Sequence, residues 1–91
     1  IHKGTIETAY TIMNGEYEVI EAEIIETSEL INKELKNSNL PDEIRIGAVL
    51  RENKVIIPRS NFVFQKEDKV VFLAKKDSIS VVENIFRISS I

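Results

Sequence analysis

The sequence predicts an α+β domain: a β-hairpin, then a β-α-β-β-β-α series with helices packed on one face of a mixed or antiparallel sheet. Two alternating segments that flank Asn14-Gly15 predict the hairpin, because both turn residues accept the positive φ of a type I′ turn. Segment 43–57 repeats this arrangement around Glu52-Asn53. Apolar residues at helical spacing between Ile79 and Phe86 predict a helix that packs on the sheet.

The first two predicted strands run from Thr5 to Met13 and from Tyr17 to about Ile25. In the second strand the apolar residues on one face are Ile20, Ala22 and Ile24, and the opposite face carries Glu21 and Glu23. This alternation is typical of an antiparallel strand with one buried face.

A short helix is predicted next. Thr27-Ser28-Glu29 offers a capping hydroxyl and an acid near the positive end of a helix, and Ile31 and Leu35 continue it as far as Leu40. Pro41, after three Asn and Ser residues, ends the segment.

The second half of the chain predicts three more strands and a helix. A strand from Glu43 to Arg51 turns back through Val55, Ile56 and Ile57, and Pro58 ends the returning strand because it cannot donate to the ladder. Phe62 and Phe64 mark a short extended piece. Lys66-Glu67-Asp68 turns the chain into a strand from Lys69 to Ala74 that is apolar enough to be central, and Asp77 or Ser78 begins the last helix.

Composition limits the function. The 91 residues are enough for one domain, and 43% of them are hydrophobic, which supports one core. The absence of cysteine excludes disulfides and thiolate chemistry. A net charge of −3 without a basic stripe predicts no nucleic-acid partner. No apolar run approaches the roughly 20 residues of a membrane helix, so we expect no direct membrane insertion.

No set of residues for catalysis emerges. His2 is the only histidine, the glycines form no phosphate-binding loop, and nothing suggests a metal site. The pairs Glu21/Glu23 and Glu67/Asp68 are interpreted as a solvent face and a turn rather than as acid–base groups. We therefore expect a binding or regulatory module and not an enzyme.

Three arginines lie on or beside the hairpin of segment 43–58: Arg45, Arg51 and Arg59. A guanidinium is well suited to bind phosphate, so these residues are candidates for a nucleotide site. The alternative is that they are strand residues that pair with nearby acids.

Several segments, in order along the chain, resemble the C-terminal domain of RCK regulatory proteins (the TrkA_C or RCK_C domain). These segments are 19–23, 28–35, Leu40-Pro41, 44–51, 55–59 and 68–72. Family members often have Gly where Glu67 stands, glycines at Glu52-Asn53, and Gly and Pro at Asn32 and Glu34. The resemblance implies a lead-in strand and hairpin over residues 1–16 and the regulatory domain over 17–91. Because the chain begins at Ile1, we expect a piece of a longer protein.

The resemblance also implies a function. RCK_C domains regulate potassium channels and transporters, commonly pair as dimers, and in some cases bind cyclic di-AMP at the dimer interface. The implied partners are a second copy, an RCK N-terminal domain and a membrane potassium transporter subunit, with the domain in the cytoplasm at the inner face of the cell membrane. The alternative is a coupling module without a ligand, which only dimerises and transmits motion.

The resemblance places the ligand site on strand backbone and apolar side chains between Ile44 and Gly47 and at Pro58. We expect Ile44, Arg45, Ile46 and Pro58 to line the pocket and Arg45 or Arg59 to contact phosphate.

Overall fold

The described part of the chain, residues 6–86, forms five antiparallel strands and one α-helix. A computed structural model describes the backbone of residues 6–86 and the side chains from residue 10 onward, so His2 and the lead-in Lys3-Gly4-Thr5 lie outside the described residues. The strands are β1 (Ile6–Ile12), β2 (Tyr17–Glu23), β3 (Ile44–Arg51), β4 (Lys54–Ile56) and β5 (Lys69–Lys75), and α1 spans Ile79–Phe86. Short 3-10 turns lie at Leu35–Asn37 and Lys76–Ser78.

The sheet has the order β1-β2-β5-β3-β4, and each neighbouring pair is antiparallel. The predicted α+β class is confirmed, and the alternative of a mixed sheet is resolved in favour of an antiparallel one. β5 is central, as its apolar sequence predicts, because β2 and β3 flank it.

The core lies between one face of the sheet and α1. On the sheet side it contains Ile20, Ala22, Ile44, Val49, Val70, Phe72 and Ala74. The helix contributes Val82, Ile85 and Phe86, and the loops add Ile24, Leu30 and Phe64. The rings of Phe72 and Phe86 stack with centroids 5.1 Å apart. Burial of these apolar side chains is the main stabilising contribution for a domain of this size.

Both predicted hairpin turns are present. The amide of Glu16 donates to the carbonyl of Met13 at 3.1 Å, and Asn14 and Gly15 have φ angles of 58° and 90°. Glu52 and Asn53 have φ angles of 53° and 65° and join β3 to β4. Both pairs have the positive φ that a two-residue hairpin turn requires.

The helix predicted from Thr27 to Leu40 is wrong. This segment forms turns and the 3-10 turn instead, and Asn32 and Asn39 have φ angles of 68° and 58°, which no α-helix contains. Its backbone pairs with segment 60–64: Leu35 N donates to Phe62 O at 2.8 Å, and Phe64 N donates to Lys33 O at 3.0 Å. A single α-helix therefore covers the core face of the described sheet.

Ser28, predicted to cap that helix, instead connects the segment to α1. Its hydroxyl accepts a hydrogen bond from Leu30 N at 3.1 Å and donates one to Ile85 O at 2.8 Å. The bond to Ile85 is buried and joins this segment to the backbone of α1.

Candidate functional site

An open cleft of about 360 Å³ lies beside the first residues of β3. The loop that precedes β3 forms its other wall. The lining residues are Leu35, Lys36, Ser38, Asn39, Leu40, Pro41, Ile44, Arg45 and Ile46. Its volume is near the lower end of the roughly 300–1,000 Å³ typical of small-molecule sites.

Local hydrogen bonds shape the loop wall. The hydroxyl of Ser38 donates to Leu35 O at 2.7 Å, and Ile44 N donates to Pro41 O at 3.1 Å where the loop enters β3. Asn39 has a φ of 58°, a conformation that Asn tolerates better than most residues. Lys36 N donates to Ser60 O at 2.9 Å, which fixes the loop against the segment after β4.

The cleft combines apolar surface with positive charge. Leu40, Pro41 and Ile46 give it apolar walls, and both charged lining residues, Lys36 and Arg45, are basic. Lys36 Nζ lies 3.8 Å from Glu34 Oε1 in an exposed pair, which holds the lysine only weakly. Such a site suits a ligand with a flat apolar group and an anionic group.

The structure brings together three of the six residues predicted from the sequence. Ile44, Arg45 and Ile46 line the cleft, whereas Gly47, Pro58 and Arg59 do not. Gly47 is exposed at a bulge where the pairing of β3 with β5 shifts between Ile46 and Ala48. Pro58 and Arg59 follow β4, and Arg59 O accepts a hydrogen bond from Phe62 N at 3.0 Å.

The loop wall at 35–41 was missed by sequence reasoning. The sequence predicts a helix that ends at Pro41 for these residues. An Asn- and Ser-rich stretch before a proline is equally typical of an irregular loop, so the pattern does not distinguish the two structures.

Arg51, the third candidate arginine, pairs with an acid instead of facing the cleft. Its Nε donates to Asp68 Oδ1 at 2.8 Å and its Nη2 to Asp68 Oδ2 at 2.7 Å and to Val63 O at 2.9 Å. The hydrogen bond with Asp68, opposed by burial, raises the pKa of Arg51 above its ordinary value. The guanidinium also lies 4.8 Å from the centroid of the Phe62 ring. For Arg51 the alternative of a strand residue paired with an acid is confirmed.

Asp68 is more than the turn residue that its sequence context predicts. Only 1% of its surface is exposed, and its Oδ2 also accepts a hydrogen bond from Gln65 N at 2.9 Å. By contrast, Glu21 and Glu23 lie on the face opposite the core, as their alternation predicts.

Two further findings concern residues 6–86. Among the side chains of residues 10–86, no three His, Cys, Asp or Glu residues group together as metal ligands. Over the same residues, no helix has the length and hydropathy needed to cross a membrane.

Comparison with known proteins identifies the family. Residues 19–87 match the TrkA-C domain. Over 89 residues the chain is 38% identical to the Trk system potassium uptake protein TrkA of Azorhizobium caulinodans, which covers 98% of this chain and 19% of that protein. It is 31% identical to the TrkA protein of Haemophilus influenzae over 94 residues, covering 99% of this chain and 20% of that protein.

A TrkA homolog of Archaeoglobus fulgidus is 38% identical over 64 residues, which covers 70% of this chain and 15% of that protein. The chain thus spans about a fifth or less of the length of these relatives. These matches confirm the resemblance predicted from the sequence: the chain belongs to the TrkA-C domain family.

Proposed function

We propose that this domain is a cytoplasmic regulatory domain of a potassium transport system, which dimerises and senses a small nucleotide to control a membrane transporter. The proposal that the domain binds a nucleotide rests on the cleft beside Ile44, Arg45 and Ile46. Both charged residues that line this cleft are basic. Support for potassium transport comes from relatives that are named Trk system potassium uptake proteins.

The cleft suits a nucleotide such as cyclic di-AMP. The base would rest on Ile46 and on the backbone at Ile44, whose side chain is buried in the core, and a phosphate would accept hydrogen bonds from Arg45 and Lys36. Gly47 comes next along β3, and Pro58 and Arg59 follow β4, which pairs with the end of that strand. These three residues would contact the ligand if it extends from the cleft along the edge of β3.

Regulation would follow from a difference in affinity. A ligand that binds one dimer geometry more tightly than another shifts the population towards it, by no more than the ratio of the two affinities. A transporter subunit attached through an RCK N-terminal domain would then respond to that shift.

The second candidate is a coupling module without a ligand. In that case β3 and α1 serve only dimerisation and the transmission of motion from an RCK N-terminal domain. This candidate predicts a dimer that is indifferent to every nucleotide tested.

Isothermal titration with cyclic di-AMP distinguishes the two candidates. We expect saturable binding, weakened about tenfold or more in Arg45→Gln because a charge-assisted hydrogen bond is lost. Lys54→Gln is the matched control, because Lys54 is exposed on β4 and does not line the cleft. A folded protein that releases no binding heat with cyclic di-AMP contradicts nucleotide sensing and leaves the coupling module.

A further inference from the structure

The two walls of the cleft are attached to opposite ends of β3. Residues 44–46, at the start of β3, form one wall directly. The other wall is the loop 35–41, whose backbone is bonded to segment 60–64, and Arg51 at the end of β3 contacts that segment. β3 therefore connects to both walls, to one through its own residues and to the other through the side chain of Arg51.

Backbone hydrogen bonds join the loop wall to segment 60–64. Leu35 N donates to Phe62 O at 2.8 Å, and Lys36 N donates to Ser60 O at 2.9 Å. Lys36 is one of the two basic residues that line the cleft. The backbone position from which its side chain reaches the cleft is thus determined by segment 60–64.

Arg51 and Asp68 hold this segment at its carboxyl-terminal end. Arg51 Nη2 donates to Val63 O at 2.9 Å, and the guanidinium lies 4.8 Å from the centroid of the Phe62 ring. Asp68 Oδ2 accepts a hydrogen bond from Gln65 N at 2.9 Å, immediately after the segment. Hydrogen bonds to charged groups are stronger than bonds between neutral backbone groups, so these contacts restrain the segment more than its own backbone pairing does.

We propose that Arg51 is a positioning residue of the ligand cleft, because it holds segment 60–64 and thereby fixes the loop wall and Lys36 relative to the wall on β3. A wall that is ordered before binding loses less conformational freedom when a ligand binds, which strengthens affinity. The inference rests on the proposed function, since it assumes that the cleft binds a nucleotide. It identifies a residue outside the cleft on which that binding depends.

Hydrogen exchange tests the connection without any ligand. NMR measures the exchange of the amides of Leu35 and Lys36, which donate to segment 60–64. An ammonium group cannot reproduce the forked contacts of a guanidinium. We therefore expect Arg51→Lys to accelerate the exchange of these amides about tenfold relative to the amides of β5, through local opening. Ile20→Val, a control for stability, alters a buried residue on β2, which β5 separates from β3, and should leave this ratio unchanged.

Titration with cyclic di-AMP tests the effect on binding. We expect Arg51→Lys alone to raise the dissociation constant about fivefold and Ile20→Val to leave it unchanged. In a chain that already carries Lys36→Gln, Arg51→Lys should raise it by no more than about twofold, because the side chain that it positions is gone. In a chain that carries Arg45→Gln, the full loss should remain, since Arg45 belongs to the wall on β3. A general loss of stability would not distinguish the two walls.

The outcomes separate this inference from the proposed function. If Arg51→Lys does not change the exchange of the loop amides relative to β5, Arg51 does not position the loop wall and the inference is overturned. If the exchange changes but the unaltered chain does not bind cyclic di-AMP, the role in nucleotide binding is overturned together with the proposed function, while the connection to the loop wall stands. If the unaltered chain binds and Arg51→Lys binds equally well, the role in binding alone is overturned. A full loss of affinity in the Lys36→Gln background also overturns it.

Discussion

Arg51 and Asp68 show how one contact connects separate parts of the chain. Arg51 ends β3, Asp68 precedes β5, and their two hydrogen bonds are joined by a third from Arg51 to the carbonyl of Val63. Because Asp68 is almost fully buried, its charge depends on Arg51 and on the amide of Gln65 for compensation.

Loss of Arg51 should destabilise the fold strongly. We expect Arg51→Met to lower the free energy of unfolding by about 3 kcal/mol, because it leaves Asp68 buried without its cation. Arg51→Lys should recover only part of this loss, since an ammonium group cannot reproduce the forked contact. Urea denaturation followed by circular dichroism measures both changes. Arg59→Met, which removes an exposed arginine, serves as the control, and an equal loss in this variant would contradict the assignment.

The pH dependence of this loss follows from the sign of the pKa shift. Asp68 raises the pKa of Arg51 above its ordinary value, so the stabilisation is fully present below the pKa of arginine in the unfolded chain and is lost only as pH rises through the higher pKa of the folded state. The stability difference between the unaltered chain and Arg51→Met should therefore be constant from about pH 7 to about pH 10. If the stability difference becomes smaller across this pH interval, a group other than Arg51 causes it.

At the level of single residues, the sequence indicated Arg51 as a candidate for binding phosphate but did not indicate that Asp68 is its partner. Asp68 follows Lys66-Glu67, and such a polar run indicates a turn without revealing burial. Its burial arises because β3 brings the guanidinium of Arg51 to the start of β5, a contact between residues 17 positions apart.

Among the secondary-structure elements, the strands were predictable and the segment at 27–40 was not. Period-two alternation and the two turns determine β1 to β4, because local conformation and burial favour the same structure there. Leu30 of segment 27–40 and Phe64 of segment 60–64 are fully buried, and the backbones of the two segments pair. These tertiary contacts outweigh a weak helical preference among several Asn and Ser residues.

Glu67 occupies a backbone conformation better suited to glycine. Its φ is 76°, and Asp68 N donates to Gln65 O at 3.2 Å across the turn. A type II turn places glycine at this position for steric reasons. We expect Glu67→Gly to raise the free energy of unfolding by about 0.5–1 kcal/mol, measured by urea denaturation. Glycine removes the steric strain that a side chain causes in a left-handed backbone conformation.

Lys66→Gly is the matched control for that substitution. Lys66 lies in the same turn and does not have a positive φ, so glycine there brings flexibility without relief of strain. It should lower stability by about 0.5–1 kcal/mol. A loss of stability in Glu67→Gly as well would show that the turn conformation is not strained.

In the whole molecule, Arg45 belongs to both the cleft and the outer face of the sheet. Arg45 and its strand neighbours Ile44 and Ile46, which the sequence predicts to line a ligand pocket, lie at the cleft. The loop wall could not be predicted, because it depends on how segment 32–36 pairs with segment 60–64.

Stability should depend on protein concentration if the domain dimerises as proposed. Mass action stabilises a dimer by about 1.4 kcal/mol for each tenfold rise in protein concentration. We therefore expect the urea midpoint to increase over about a 100-fold range of concentration. A midpoint that is constant for the unaltered chain would contradict a dimer of coupled stability.

The short length of β4 has a consequence for aggregation. β4 pairs with Val49, Leu50 and Arg51, so in the described part of the chain no strand pairs with residues 44–48 of β3 on the side away from β5. Open edges of this kind are where strands of other molecules add and where insoluble assemblies begin. The bulge at Gly47 and the charge of Arg45 lie on this stretch and oppose such addition. A variant without Pro58, in which β4 extends along β3, would present a longer open edge on β4 and would aggregate at lower concentration, and it would lose the accessible edge of β3 beside the cleft.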